Sequence, residues 1–165
     1  PTFHPITPLI YGGVMGEDMD EGTQSLDLYE LLIQDLDPRL VMMSLEEGMT
    51  WLPNAFILEG MEKLRAGFYT LEHFLYQLAL KSETLRNEIG RYLEAILDKE
   101  MIDTLVKYAI HEMNASKASK ALYIHRNTLQ YRFSIFHEKT GMDPKSFETI
   151  ALFHAVFSGQ FMHSA

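Results

Sequence analysis

NASKASKALYIHRNTLQYRFSIFHEKTG, residues 114–141, is the stretch on which the reading of this chain turns. Ala118, Ala121 and Leu122 fall at i, i+3 and i+4, so a short helix over about 115–122 turns a stripe of small residues inward. Alanine at such places lets a second helix approach closely. Tyr123 and Ile124 break the pattern, with Ile124 as an apolar plug, and a second helix is predicted to open near residues 125–127 and to run to Lys139. Gly141 ends it, as a residue free to adopt positive φ. Short helix, tight turn and longer helix make the helix-turn-helix layout, whose second helix enters the major groove when the motif reads DNA.

Angular spacing of about 100° per residue places Leu129, Phe133 and Phe136 within a narrow arc, the expected buried side of that second helix. Asn127, Gln130, Tyr131 and Ser134 point the other way, hydrogen-bonding groups with no acid among them. Arg126 and Arg132 take the two shoulders and Thr128 lies beside Arg132, a layout that suits phosphate contacts flanking a base-reading strip. Lys117 and Lys120 on the preceding helix are expected to reach the backbone too, and His125 to serve as a cap or a phosphate contact. Arginine reads guanine and asparagine or glutamine reads adenine by paired hydrogen bonds, which makes Arg126, Asn127 and Gln130 the expected base contacts. The plainer alternative is a helical hairpin with a solvated polar face.

The run ALYIHRNTLQYR at residues 121–132, followed by Glu138-Lys139-Thr140-Gly141 and by Asp143-Pro144, resembles the C-terminal DNA-binding domain of the PucR/CdaR family of bacterial transcription regulators. The family's wording is close to L-x-I-H-R-N-T-L-x-Y-R, then T-G before a last helix. The resemblance covers about residues 102–157. Phe133 and Phe136 stand where leucine and isoleucine are commoner, which leaves an apolar core intact. A more distant likeness is to the helix-turn-helix of the Fis type. The resemblance implies a bacterial cytoplasmic regulator, dimeric on double-stranded DNA, responding to a small-molecule effector sensed by a part of the protein outside this chain.

The net charge of −9 over 165 residues argues, taken whole, against nucleic acid, but its distribution reverses the argument. Over residues 99–145 eight Lys or Arg face five Asp or Glu, whereas over residues 1–98 six face seventeen. A basic segment joined to an acidic one is the asymmetry expected of a DNA-reading module attached to something else. The excess is small, so phosphate contacts must be focused, and salt-sensitive binding by a homodimer is expected. Cysteine is absent, so disulfides and thiolate metal sites are unavailable, in keeping with a reducing cytoplasm. No apolar run approaches a bilayer span and no signal-peptide pattern is read, so no membrane partner is expected. The chain opens on Pro1 rather than Met, as a fragment or a processed chain would.

Residues 1–24, with prolines at 1, 5 and 8 and glycines at 12, 13, 16 and 22, are expected to be an irregular tail or linker, with residues 9–11 as a short strand if an upstream domain is present to pair with it. Residues 25–98 are expected to be an acidic helical dimerisation or signal-relay region. Its helices are predicted over about 25–37, 38–47 (opened by Asp37-Pro38 with Leu40, Met43 and either Met42 or Leu45 inward), 51–66, 69–80 and 82–98. Ser82 is the expected cap of the last, and Gly90 inside it suggests a close helix crossing. Trp51 reads as a core anchor before it reads as part of an effector or dimer surface. Residues 99–165 are expected to be the DNA-binding domain. There 99–113 supports the reader, Asp143-Pro144 opens a final helix to about 158, and Phe147, Ile150, Ala151, Phe153 or His154, and Phe157 face inward. The architecture is all-α, a helical bundle followed by a C-terminal Fis-like helix-turn-helix.

Signals of catalysis are missing. The histidines at 4, 73, 111, 125, 137, 154 and 163 lack ligand spacing, His111-Glu112 stands alone, and neither a nucleophile elbow nor a phosphate loop occurs. No enzyme, cofactor or metal is therefore expected. The runner-up function is a protein-interaction module that keeps the helix-turn-helix shape. Against it stands the polar face near Asn127, where a protein contact would favour exposed apolar residues.

Overall fold

A computed structural model describes residues 2–7, 10–14, 30, 41–43, 45 and 50–161. Helix dominates, in the order β1 (Thr2–Thr7), β2 (Ile10–Val14), β3 (Val41–Met43), α1 (Asn54–Glu62), β4 (Gly67–Tyr69), α2 (Leu71–Lys81), α3 (Glu83–Ile96), α4 (Lys99–Ile110), α5 (Ala115–Ala121), α6 (Arg126–Thr140) and α7 (Phe147–Phe161). The fold is all-α in class, with two short two-stranded pairings added. Of the helix expected over 25–37 only Glu30, which is helical, lies among the described residues.

Two expectations for the N-terminal part are corrected. β1 and β2 pair as an antiparallel hairpin from Thr2 opposite Val14 to Thr7 opposite Ile10, where irregular chain was expected. Threonine, isoleucine, valine and aromatic residues favour extended backbone, and Pro5 falls beside the register shift between Pro5 and Thr7, the kind of place where a strand tolerates proline. Residues 41–43, expected inside a helix, form β3 and pair in parallel with β4, Val41 opposite Gly67 and Met43 opposite Tyr69. Parallel neighbours need a long crossover, and α1 lies within it. Of the two alternatives for an inward position there, Leu45 is exposed and Met42 half-buried.

The helix starts follow their caps. Thr70 accepts from the backbone N–H of His73, Ser82 from Leu85 and Asp98 from Met101, each leaving one fewer orphan donor in a first turn. α7 starts at Phe147 with Ser146 accepting from Thr149, three residues after the expected opening at Pro144, because Asp143 instead accepts from the N–H of Lys145 in a local turn. That delay leaves Phe147 66% exposed, against the inward position expected for it, while of the alternatives Phe153 and His154 it is Phe153 that is buried.

α7 packs against α2, α3 and α4, and its Ile150, Leu152, Phe153 and Phe157 join Phe74, Leu75, Leu78, Ile89, Leu93 and Leu105 in one core. The expected boundary between residues 98 and 99 thus falls at a helix junction inside a shared interior. Gly90 sits where α3 crosses α7, and a Cβ there would lie 3.1 Å from Val156 Cγ1. Gly60 is tighter still: its Cβ would come within 2.6 Å of Phe74 Cζ, so α1 rests directly on α2.

Candidate nucleic-acid interface

α4 ends at His111 with the N–H of Met113 bonded to Tyr108 O and that of Glu112 to Ala109 O, a reversal that puts Glu112 at φ 57° and Met113 at φ 59°. Asn114 then caps α5, its Oδ1 accepting from the backbone of Ser116 and Lys117. Ala118 and Ser119 are buried and Ala121 and Leu122 half-buried, so the small-residue side of α5 does face its neighbours. The same reversal closes α5, with Ile124 N–H on Ser119 O at 3.0 Å and Tyr123 N–H on Lys120 O at 3.1 Å, and Tyr123 at φ 55°.

His125 opens α6, its ring Nδ1 accepting from the N–H of Asn127 at 3.2 Å. The histidine thus acts as the N-cap of the helix. After fifteen helical residues Gly141 ends the helix at φ 73°. Leu129, Phe133 and Phe136 are the buried face, as their spacing requires; Phe133 stacks at a tilt on Tyr108 of α4 and Phe136 meets Phe153 of α7 edge-on. Arg126, Asn127, Thr128, Tyr131 and Ser134 are exposed and Gln130 half-buried. Lys117 and Lys120 are exposed on α5, and Lys117 lies 3.1 Å from Glu112 in a pair too solvated to hold it strongly. From residue 113 to 137 the chain has no acid, while Lys117, Lys120, Arg126 and Arg132 are cationic.

Arg132 departs from its expected place on an outer shoulder. Its guanidinium donates to Thr104 Oγ1 at 2.7 Å and pairs with Glu100, both on α4, and only 15% of the side chain is exposed. The reason is its position next to Phe133 and near the buried arc, from which a long side chain reaches the neighbouring helix rather than solvent. Arg132 holds α6 to α4 and is not presented outward.

Three bonds reach the C-terminal end of α6 from the upstream part. Trp51 Nε1 donates to Thr140 O at 3.0 Å, Lys139 Nζ to Ile96 O at 3.4 Å, and the N–H of Asp143 to Glu72 Oε1 at 2.9 Å. Nothing in the local sequence signals them, since their partners lie between 43 and 89 residues apart. The clasp leaves the exposed sides of residues 126–131 and of α5 open, and neither stretch itself contains an acid. Among the described residues no cluster of three His, Asp or Glu is placed to hold a metal ion, and no helix is long and apolar enough to cross a membrane.

α4 to α7 therefore make a helix-turn-helix domain, with α5 and α6 as its two crossing helices and α4 and α7 as their support. Residues 101–158 match the PucR C-terminal helix-turn-helix domain. Among curated proteins the chain is 34% identical over 74 residues to the carbohydrate diacid regulator of Escherichia coli, covering 42% of this chain and 19% of that protein. It is 35% identical over 68 residues to the uncharacterized protein YxkF of Bacillus subtilis, covering 41% of this chain and 23% of that protein. The chain thus spans about a fifth of the length of these relatives. No solved structure matches it.

Proposed function

We propose that this chain carries the DNA-reading part of a bacterial transcription regulator, with α6 lying in the major groove of double-stranded DNA. The observation that carries the reading is the exposed, acid-free N-terminal half of α6 beside exposed Lys117 and Lys120, on a helix whose other face is locked into the core. Arg126, Asn127 and Gln130 are the base contacts; Lys117, Lys120, His125, Thr128 and Tyr131 lie along the flanks, where phosphate and sugar contacts fix register. A helix of this kind reads one half-site, so a homodimer on two half-sites about one DNA turn apart follows. The similarity to a carbohydrate diacid regulator supports the regulator reading, and because it covers about a fifth of that protein the effector is assigned to a part outside this chain. The chain acts in the cytoplasm, where the chromosome is, and binds without catalysing a reaction.

Selection of preferred sequences from random duplex DNA at fixed salt, with the mass of the complex measured by sedimentation, tests the proposal. Enrichment of a repeated half-site bound by two chains is the expected result. Binding with no enrichment, or no binding at low salt, refutes it.

A further inference from the structure

Tyr123 is the residue whose placement the fold leaves unexplained. It occupies the left-handed position closing α5, φ 55°, which glycine fills without steric cost and a bulky side chain does not. Glu112 and Met113 share that backbone region, yet Glu112 pairs with Lys117 and Met113 packs on the core. Tyr123 is 96% exposed, so its ring gains nothing from burial. A strained, solvated aromatic at one point of a packed domain calls for a role outside folding.

Its surroundings supply the chemistry. Lys120 stands three residues before it and Arg126 three residues after, both exposed, and His125, the N-cap of α6, is two residues on. The turn therefore carries a neutral O–H donor on a flat apolar ring between two cations, at the end of α6 that enters the groove first. That combination fits one backbone phosphate and the deoxyribose next to it: the phenol donates to a phosphate oxygen and the ring covers the sugar.

We infer that Tyr123 is a DNA-backbone contact of the turn, a positioning contact that orients α6 as it enters the groove; the inference rests on the DNA-reading assignment above. The reversal at residues 123–124 fixes the backbone of the turn before binding, so only the side chain is left to order in the complex.

The test uses the 165-residue chain, a random-sequence duplex and the best duplex selected from it. Tyr123→Phe keeps ring and backbone and removes only the hydroxyl. It is expected to weaken binding to both duplexes by roughly five-fold. The dependence of affinity on salt stays as in the wild type, because no charge is lost. Tyr123→Gly is expected to raise Tm while weakening both duplexes at least as much. Wild-type affinity in Tyr123→Phe, or a lower Tm in Tyr123→Gly, overturns the inference. Arg126→Ala separates the two levels: if it loses affinity and selectivity while the Tyr123 variants bind normally, the Tyr123 contact alone fails. If the wild-type chain binds neither duplex, the DNA reading fails and the inference with it.

Discussion

Replacing Trp51 by phenylalanine removes the indole N–H together with part of the ring, and the expected cost of losing the N–H follows from where the acceptor sits. Thr140 is the last residue of α6, so its carbonyl belongs to the final turn, where no intrahelical donor remains. Thr140 is fully buried, and its side chain is already committed, donating to Phe136 O and accepting from the N–H of Met142. Water reaches such a carbonyl poorly, so the loss approaches the desolvation cost of an unmatched acceptor, about 1–3 kcal/mol. Trp51 is only half-buried and a water molecule can enter part of the vacated volume, which favours the lower half, about 1–2 kcal/mol. For a chain of this size that lowers Tm by roughly 2–8 °C. Thermal unfolding followed by circular dichroism measures it, with amide exchange locating it: Gly141, whose N–H bonds to His137 O, should lose protection while Leu129 does not. An unchanged Tm together with unchanged exchange at Gly141 would refute the claim that the upstream segment holds the end of α6.

Arg126→Ala and Asn127→Ala should each weaken binding to the preferred duplex by about 1–3 kcal/mol and relax selectivity at one base pair, read by titration against single-base variants. Lys120→Ala should weaken all duplexes alike and reduce the salt slope of log affinity by about one, because a phosphate contact releases about one counterion. Arg132→Ala should behave oppositely. It removes the bond to buried Thr104 and should cost about 1–2 kcal/mol in urea unfolding, with the solvated Glu100 partner adding little, while the salt slope stays unchanged.

The reader helix was legible because its signals are local. Leu129, Phe133 and Phe136 share an arc at helical spacing, His125 and Gly141 terminate the helix, and the structure gives Arg126–Thr140 with those three residues buried. Ser82 and Gly90 were legible for the same reason, one as a cap and the other as a close crossing. β3 was not, since methionine and leucine favour helix locally and the strand exists only through hydrogen bonds to Gly67–Tyr69. Arg132 shows the limit of an angular map. The map places a Cβ to within a shoulder, but a guanidinium reaches several ångströms further, and its partners Glu100 and Thr104 lie 32 and 28 residues away. Tyr123 was visible as a break in the helical pattern, but its positive φ was not.

The distribution of restraints along α6 bears on how the proposed DNA contact would be selective with so small a positive excess. Phe133 and Phe136 fix the middle of the helix to α4 and α7, Arg132 ties one side to α4, and Trp51, Lys139 and Glu72 hold its far end or the turn after it. Over residues 126–131 the helix is anchored through buried Leu129 alone among these restraints, and the exposed side of that stretch carries the residues assigned to base contact. Ordering that stretch is then a cost met in folding rather than in binding, which matters because immobilising each long side chain or loop on association costs about 0.5–1.5 kcal/mol. With few cations to supply non-specific attraction, a pre-set helix is how the remaining contacts convert into affinity for one sequence over another. It follows that loosening the far end at Trp51 should reduce discrimination between duplexes more than it reduces non-specific binding at low salt, the reverse of the effect of Lys120→Ala.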